Sequence, residues 1–153
     1  MSLSFCPPTI RLLILSCVLS SAAFPAATPA QSPQGSSSSR CSQTKTLPEY
    51  ENDLKANPRS SLANYCGGEL LLALGGYQAS VTAYRASLAG DGDATWTKVW
   101  SHIEVGKIFD LTGQRERAVD QYQQALRTGD NTGNAMELAR DLLQHPFEQS
   151  MNR

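Results

Sequence analysis

The residue types that most often carry chemistry are sparse in this chain. Its two histidines are His102 and His145, and a potential metal ligand, Glu104, lies two residues after His102. Residues two apart on a helix face different sides, so His102 and Glu104 are poorly placed to bind one metal ion together. We expect His102 to be packed within the fold and His145, which precedes Pro146, to be exposed.

Motifs for nucleophilic or phosphate chemistry are also absent from the sequence. No GxSxG, P-loop or GxGxxG pattern occurs. Glu104 and Asp110 are six residues apart in one predicted helix, a poor spacing for a catalytic carboxylate pair. The pair Gly75-Gly76 follows a helix rather than a strand, unlike a phosphate-binding loop. We therefore predict that the chain is not an enzyme and needs neither a cofactor nor a metal ion.

The N-terminal residues resemble a secretion signal. Arg11 precedes an apolar stretch from Leu12 to Phe24, which has the length of a signal-peptide hydrophobic region and is too short to span a membrane. Small residues follow, and cleavage after Ala30 fits the small-residue rule, as does cleavage after either of two earlier alanines. We predict that residues 1–30 are a signal peptide and that the protein is exported, either to a periplasm or out of the cell.

An alternative form of export is a lipoprotein anchored through Cys17, because Ile14-Leu15-Ser16-Cys17 resembles a lipobox. Two features disfavour it. The apolar run before Cys17 is short, and the residues directly after it are still apolar where a polar tether is expected. Either way, no later stretch is long and apolar enough to predict a transmembrane segment after signal cleavage.

Cys41 and Cys66 are the cysteines that remain after signal cleavage. In an oxidising compartment they can form a disulfide, which would tie the start of the folded region to the helix that holds Cys66. The alternative is a buried, unpaired Cys66 and an unpaired Cys41. Neither belongs to a CxxC motif or has a histidine nearby, which argues against a zinc site.

Composition and charge exclude several functional classes and outline the domains. The chain is 41% apolar and 18% charged, with a formal net charge of −1, which excludes collagen-like and wholly disordered proteins. The absence of a basic excess argues against nucleic-acid binding. Residues 31–45 are rich in Ser, Gly and Pro and predict a flexible linker. We expect the folded domain at residues 46–145 and a C-terminal tail at 146–153.

The folded domain contains an internal repeat. When Gly75 is aligned with Gly113, the further matching pairs are Gly68 with Gly106, Val81 with Val119, Tyr84 with Tyr122 and Leu88 with Leu126. A slightly shorter shift aligns Tyr50 with Tyr84, and the sequence GDGD at 90–93 accounts for the difference between the two shifts. Apolar residues recur at helical spacing in each copy, and glycines separate the helices. Each copy therefore predicts a helical hairpin.

This spacing resembles the tetratricopeptide repeat (TPR) family. The second copy carries the family pattern at Gly106, Phe109, Gly113, Ala118, Tyr122, Ala125 and Leu126. The tryptophan that the family usually has early in its first helix is replaced by Asn64 and His102. The resemblance implies an all-α helical-hairpin repeat array, a TPR-like solenoid. Its parts would be a half repeat at about 48–58, repeats at about 60–92 and 96–130, and a capping helix at about 132–143.

In proteins of this family the first helix of each repeat lines a concave groove that binds a peptide or a helix. The resemblance implies a partner-binding groove formed by Leu62, Tyr65, Glu69, Leu72, Trp100, Ile103, Lys107 and Asp110. In an alternative arrangement, Trp100 and Ile103 pack beneath the GDGD turn. The groove lacks the Lys, Arg and Asn cluster with which some family members bind a chain-end carboxylate.

We therefore expect an exported TPR-like adaptor or scaffold that binds a protein or peptide partner through this groove. One alternative is an accessory or regulatory subunit of an exported enzyme complex. Another is a structural element that associates weakly with its own copies.

Overall fold

The computed structural model describes Cys41 and residues 45–149. Its six α-helices are α1 (Leu47–Ala56), α2 (Ser61–Ala73), α3 (Tyr77–Leu88), α4 (Thr97–Leu111), α5 (Arg115–Arg127) and α6 (Ala135–Gln144). No strand occurs among these residues, so the all-α prediction is confirmed for the described part of the chain. None of the six helices combines the length and apolar character needed to cross a membrane. The predicted signal peptide, Cys17 and most of the predicted linker lie outside the described residues.

The GDGD turn between α3 and α4 caps the start of α2. Asp91 Oδ1 accepts a hydrogen bond from the backbone N–H of Ser61 (3.2 Å), and Asp93 Oδ1 accepts one from the N–H of Leu62 (2.9 Å). The first N–H groups of a helix have no partner within it and carry a partial positive charge, so carboxylates stabilise this end. The GDGD segment, which accounts for the difference between the two repeat shifts, therefore also holds the start of α2 in place.

In each predicted repeat, one glycine ends the first helix. Gly75 follows α2 with φ +77°, and Gly113 follows α4 with φ +71°, a backbone conformation that favours glycine. In both turns the next residue donates its N–H to the carbonyl oxygen five residues earlier, at 2.8 and 2.7 Å. These equivalent turns reverse the chain, and α3 and α5 then pack against α2 and α4.

A glycine facing a tyrosine sets the distance between the helices of each hairpin. A Cβ atom at Gly68 would lie 2.9 Å from the ring of Tyr84, and one at Gly106 would lie 2.4 Å from the ring of Tyr122. Both tyrosines are fully buried. The repeat alignment matches the two glycines with each other and the two tyrosines with each other. The same glycine-tyrosine contact therefore occurs once in each copy, and the sequence repeat corresponds to a repeated packing arrangement.

Helix α4 is the centre of the fold. It packs against α3 and α5, and it also contacts α2 and α6. Ten of its fifteen residues are buried. Most of the perimeter of α4 is therefore covered: Lys98 near its start is exposed, and the half-buried Lys107 and Leu111 near its C-terminal end reach an open surface.

Candidate binding cleft

A cleft of about 430 Å³ opens between the C-terminal ends of α2 and α4, and we call it the α2–α4 cleft. Its lining includes Leu72 of α2, Tyr77 of α3, Ile108 and Leu111 of α4, and Phe147 from the segment after α6. Clefts of this size with mostly apolar walls are typical of binding sites for small ligands or side chains. The lining suits apolar or aromatic groups.

The two charged residues of the cleft are both paired. Glu69 and Lys107 occupy equivalent positions in the two copies of the repeat. The Tyr84 hydroxyl donates to Glu69 Oε1 (2.5 Å), and Lys107 Nζ donates to the carboxylate of Glu104 (2.9 Å). Burial raises the pKa of Tyr84, and the Glu104 and Glu69 carboxylates raise it further, so the hydroxyl stays protonated as a donor. Each charged group of the cleft therefore has a hydrogen-bond partner, and the charge of Lys107 is compensated by Glu104.

A disulfide between Cys41 and Cys66 forms one wall of the cleft, together with Tyr50 of α1. The two Cα atoms are 5.6 Å apart. On the other side of this wall lies a second cleft of about 290 Å³, beside the ion pair of Lys45 and Asp53 (2.6 Å). The bond links the chain that precedes α1 to α2 and separates the two clefts.

Asp110 is the centre of a buried polar network at the end of α4. Its side chain is 1% exposed and accepts hydrogen bonds from Arg115 Nη1 (3.0 Å), the Tyr122 hydroxyl (2.7 Å) and the backbone N–H of Phe147 (2.8 Å). Arg115 also donates to two carbonyl oxygens at the end of α6, at 2.8 and 2.7 Å. This network joins α4, α5, α6 and the segment that follows α6.

Five of the eight predicted groove residues lie outside the apolar core. Four of them reach a cleft surface, and the fifth belongs to the Asp110 network. Three of them line the α2–α4 cleft: Glu69, Leu72 and Lys107. Leu62 is exposed, but it lies at the other end of α2, on the second cleft. Asp110 belongs to the buried network and offers no exposed carboxylate.

The groove prediction is wrong for Tyr65, Trp100 and Ile103, which are at most 1% exposed and belong to the core. The ring of Tyr65 packs edge-on against Trp96, with centroids 5.1 Å apart. Trp100 Nε1 donates to the carbonyl oxygen of Thr132 (2.9 Å), in the loop between α5 and α6. Trp100 and Ile103 are buried because helices cover the central α4 on the face where a groove was expected, and Tyr65 of α2 is buried between Trp96 and Tyr84 of α3. In the alternative arrangement Trp100 packs beneath the GDGD turn, but its indole N–H is bonded to the loop between α5 and α6 instead.

Sequence reasoning missed three residues of the site. Phe147 lies in the predicted tail at 146–153, yet it packs against the core, and a lone aromatic residue after a helix-ending proline was the available signal. Glu104 is fully buried, and its spacing of three residues from Lys107 was a signal for the ion pair. Nothing in the sequence distinguishes Arg115 from a solvated arginine at the start of a helix.

The two histidines have simple surroundings. His102 Nδ1 lies 3.0 Å from Gln121 Oε1, and burial lowers the pKa of His102 below its ordinary value. His145 is exposed beside Asp141, at 3.0 Å. Over Cys41 and residues 45–149, no group of three or more His, Cys, Asp and Glu residues is arranged to hold a metal ion.

Compared with models of protein families, with curated proteins and with solved structures, the chain gives no match, so its function has to be inferred from the cleft and the contacts around it.

Proposed function

We propose that this chain is an exported, TPR-like adaptor that binds a segment of a partner protein in the α2–α4 cleft. The repeated packing supports the TPR-like part of this proposal. The glycine-tyrosine contacts and the left-handed glycine turns recur at the same spacing along the chain, and the tyrosines belong to the pattern by which the sequence resembles the family. Such hairpins serve many unrelated proteins, so the proposal of a binding role depends on the cleft itself.

The observation that carries the binding role is the apolar cleft, whose two charged side chains both have hydrogen-bond partners. Leu72, Ile108 and Leu111 supply aliphatic surface, while Glu69 and Lys107 are each paired to another side chain. Covering these groups with a partner leaves neither of them without a hydrogen-bond partner, and Lys107 keeps the opposite charge of Glu104 beside it. Apolar side chains gain most from such a surface, because affinity there comes mainly from removing apolar area from water.

Two features support export. The Cys41–Cys66 disulfide is a bond that forms and persists in oxidising compartments and is rare in reducing ones. The sequence before it has an apolar stretch of signal-peptide length after Arg11, then small residues and a polar linker. An adaptor in a periplasm or outside the cell would retain the disulfide wall of its cleft.

The test compares two leucine substitutions that differ in position but not in chemistry. Leu72→Gln changes a half-buried residue of the cleft, and Leu74→Gln changes a residue two positions further along that is 75% exposed and is not part of the lining. Tagged wild-type and variant proteins are crosslinked in the envelope fraction of the native host, and the captured proteins are quantified. Denaturation curves establish that both variants are folded.

We expect Leu72→Gln to lower capture of a specific partner about tenfold or more, because an apolar side chain of this size contributes about 1.5–3 kcal/mol when buried. Leu74→Gln should capture the partner as the wild type does. Equal capture by both variants would refute binding in the cleft. Light scattering on the purified protein separates self-association, and a single enzyme captured in constant stoichiometry by both variants would favour the accessory-subunit alternative.

A further inference from the structure

The chain places its own aromatic residue at the edge of the α2–α4 cleft. After α6 ends at Gln144, residues 145–149 continue without helical structure, and we call them the C-terminal strap. The backbone N–H of Phe147 donates to Asp110 Oδ2 (2.8 Å), and Lys107 Nζ lies 4.7 Å from the centre of the Phe147 ring. The strap therefore covers the end of the cleft that is formed by α4.

Attachment of the strap depends on one residue. Phe147 is half-buried and packs against the core, whereas the other four residues of the strap are exposed. One half-buried ring and one backbone hydrogen bond hold far less tightly than the packed helices beneath them. Opening of the strap should therefore need much less free energy than unfolding of the domain.

Asp110 does not depend on the strap for its charge compensation. Without the Phe147 N–H, it still accepts from Arg115 and from the Tyr122 hydroxyl. Arg115 in turn holds Asp110 against the end of α6. Release of the strap thus leaves a fixed carboxylate acceptor, a lysine suited to a cation–π contact and an apolar wall.

We propose that the strap is an internal competitor for the cleft. The partner is then an extended peptide segment that replaces Phe147 with its own aromatic or large apolar side chain beside Lys107. Its backbone N–H takes the place of the Phe147 N–H on Asp110. This inference rests on the proposed function, since it names the kind of partner segment that the cleft takes and the contact of Phe147 that this segment replaces.

The strap itself, supplied as a separate peptide, is the probe. A synthetic peptide of residues 144–153 is titrated into the ¹⁵N-labelled, disulfide-bonded chain in three forms: wild type, Phe147→Ala and Glu148→Ala. Glu148 is an exposed neighbour in the strap and provides the matched control. A second peptide in which Phe147 is replaced by alanine tests the need for the ring.

We expect Phe147→Ala to bind the peptide about tenfold more tightly than the wild type, because a site that is open only a tenth of the time shows a tenfold weaker apparent affinity. Glu148→Ala should match the wild type, and the amide signals of Lys107 and Asp110 should shift on binding. Equal affinity for wild type and Phe147→Ala, binding to neither, or binding that does not need the phenylalanine ring would overturn the proposal.

Hydrogen exchange in the wild type keeps the proposal falsifiable if Phe147→Ala does not fold. An internal competitor has to open while the domain stays folded, so the Phe147 amide should exchange at least about a hundredfold faster than that of the core residue Tyr122. Equal exchange rates would mean that the strap opens only on global unfolding, which rules out competition. If the strap peptide binds as expected but Leu72→Gln leaves partner capture unchanged, the proposed function fails while the strap is still shown to occupy the cleft.

Discussion

Replacing Gly106 with alanine tests the close approach of α4 and α5. In the interior of an exposed helix this change usually stabilises by about 1 kcal/mol, since alanine has the higher helix propensity. Here the new Cβ would lie 2.4 Å from Tyr122 Cε1 and 2.8 Å from Cδ1. The tyrosine is fully buried and its hydroxyl is bonded to Asp110, so the ring has no room to move aside.

Gly67→Ala is the matched control, because a Cβ at that position in α2 would have no atom within 4 Å. Helix propensity cancels between the two variants, and the difference in their free energies of unfolding isolates the steric conflict. Overpacking of this kind costs about 1–3 kcal/mol, so Gly106→Ala should be less stable than Gly67→Ala by about that amount. Gly68→Ala should fall between them, since its Cβ would lie 2.9 Å from the ring of Tyr84.

The assay is urea denaturation of the disulfide-bonded proteins, followed by circular dichroism in the far ultraviolet, with unfolding free energies taken from the linear extrapolation. The free energy of unfolding of the wild type is the reference that shows whether each variant is stabilised or destabilised. Equal stability of Gly106→Ala and Gly67→Ala would refute the reasoning, because it would mean that Tyr122 does not sit against α4 as described.

Three further predictions concern the disulfide, the buried network and pH. Reduction of the disulfide, which closes a loop of 25 residues, should lower the free energy of unfolding by about 3–4 kcal/mol in a denaturation curve, and an unchanged midpoint would contradict it. Asp110→Asn should cost about 1.5–3 kcal/mol, because hydrogen bonds to a charged group are lost, while the exposed Glu116→Gln should cost little in the same assay. Burial lowers the pKa of His102, so the unfolded chain takes up the proton first as the pH falls, and the stability that His102 contributes above about pH 6.5 is lost below it. His102→Gln should reduce the loss of stability between about pH 7 and pH 5, and equal pH profiles for His102→Gln and the wild type would count against this assignment.

The helices and their turns were within reach of sequence reasoning because their causes are local. Gly75 and Gly113 end helices through a backbone conformation that glycine favours. The match of Tyr84 with Tyr122 indicated equivalent second helices in the two copies. These features depend on residue type and spacing, which the sequence contains in full.

The sequence did not reveal which helix surfaces stay open for binding, because this depends on how the helices pack over one another. Trp100 has the side chain of an interface anchor, yet the central position of α4 makes it a core residue. Leu72, one of the less conspicuous predicted residues, lies on the cleft instead. The contact of Phe147 with Asp110 joins two distant parts of the chain, and no pattern in either segment specifies it.

Site-specific photocrosslinking tests the central claim of binding in the α2–α4 cleft most directly. Leu72, in the cleft, or Leu62, at the opposite end of α2, is replaced by the photoreactive residue p-benzoylphenylalanine in the protein produced in its native host. The account predicts one covalent adduct from position 72 that is reduced by excess peptide of residues 144–153, and no such adduct from position 62. An adduct from position 62 alone, or adducts from both positions that the peptide leaves unchanged, would contradict it.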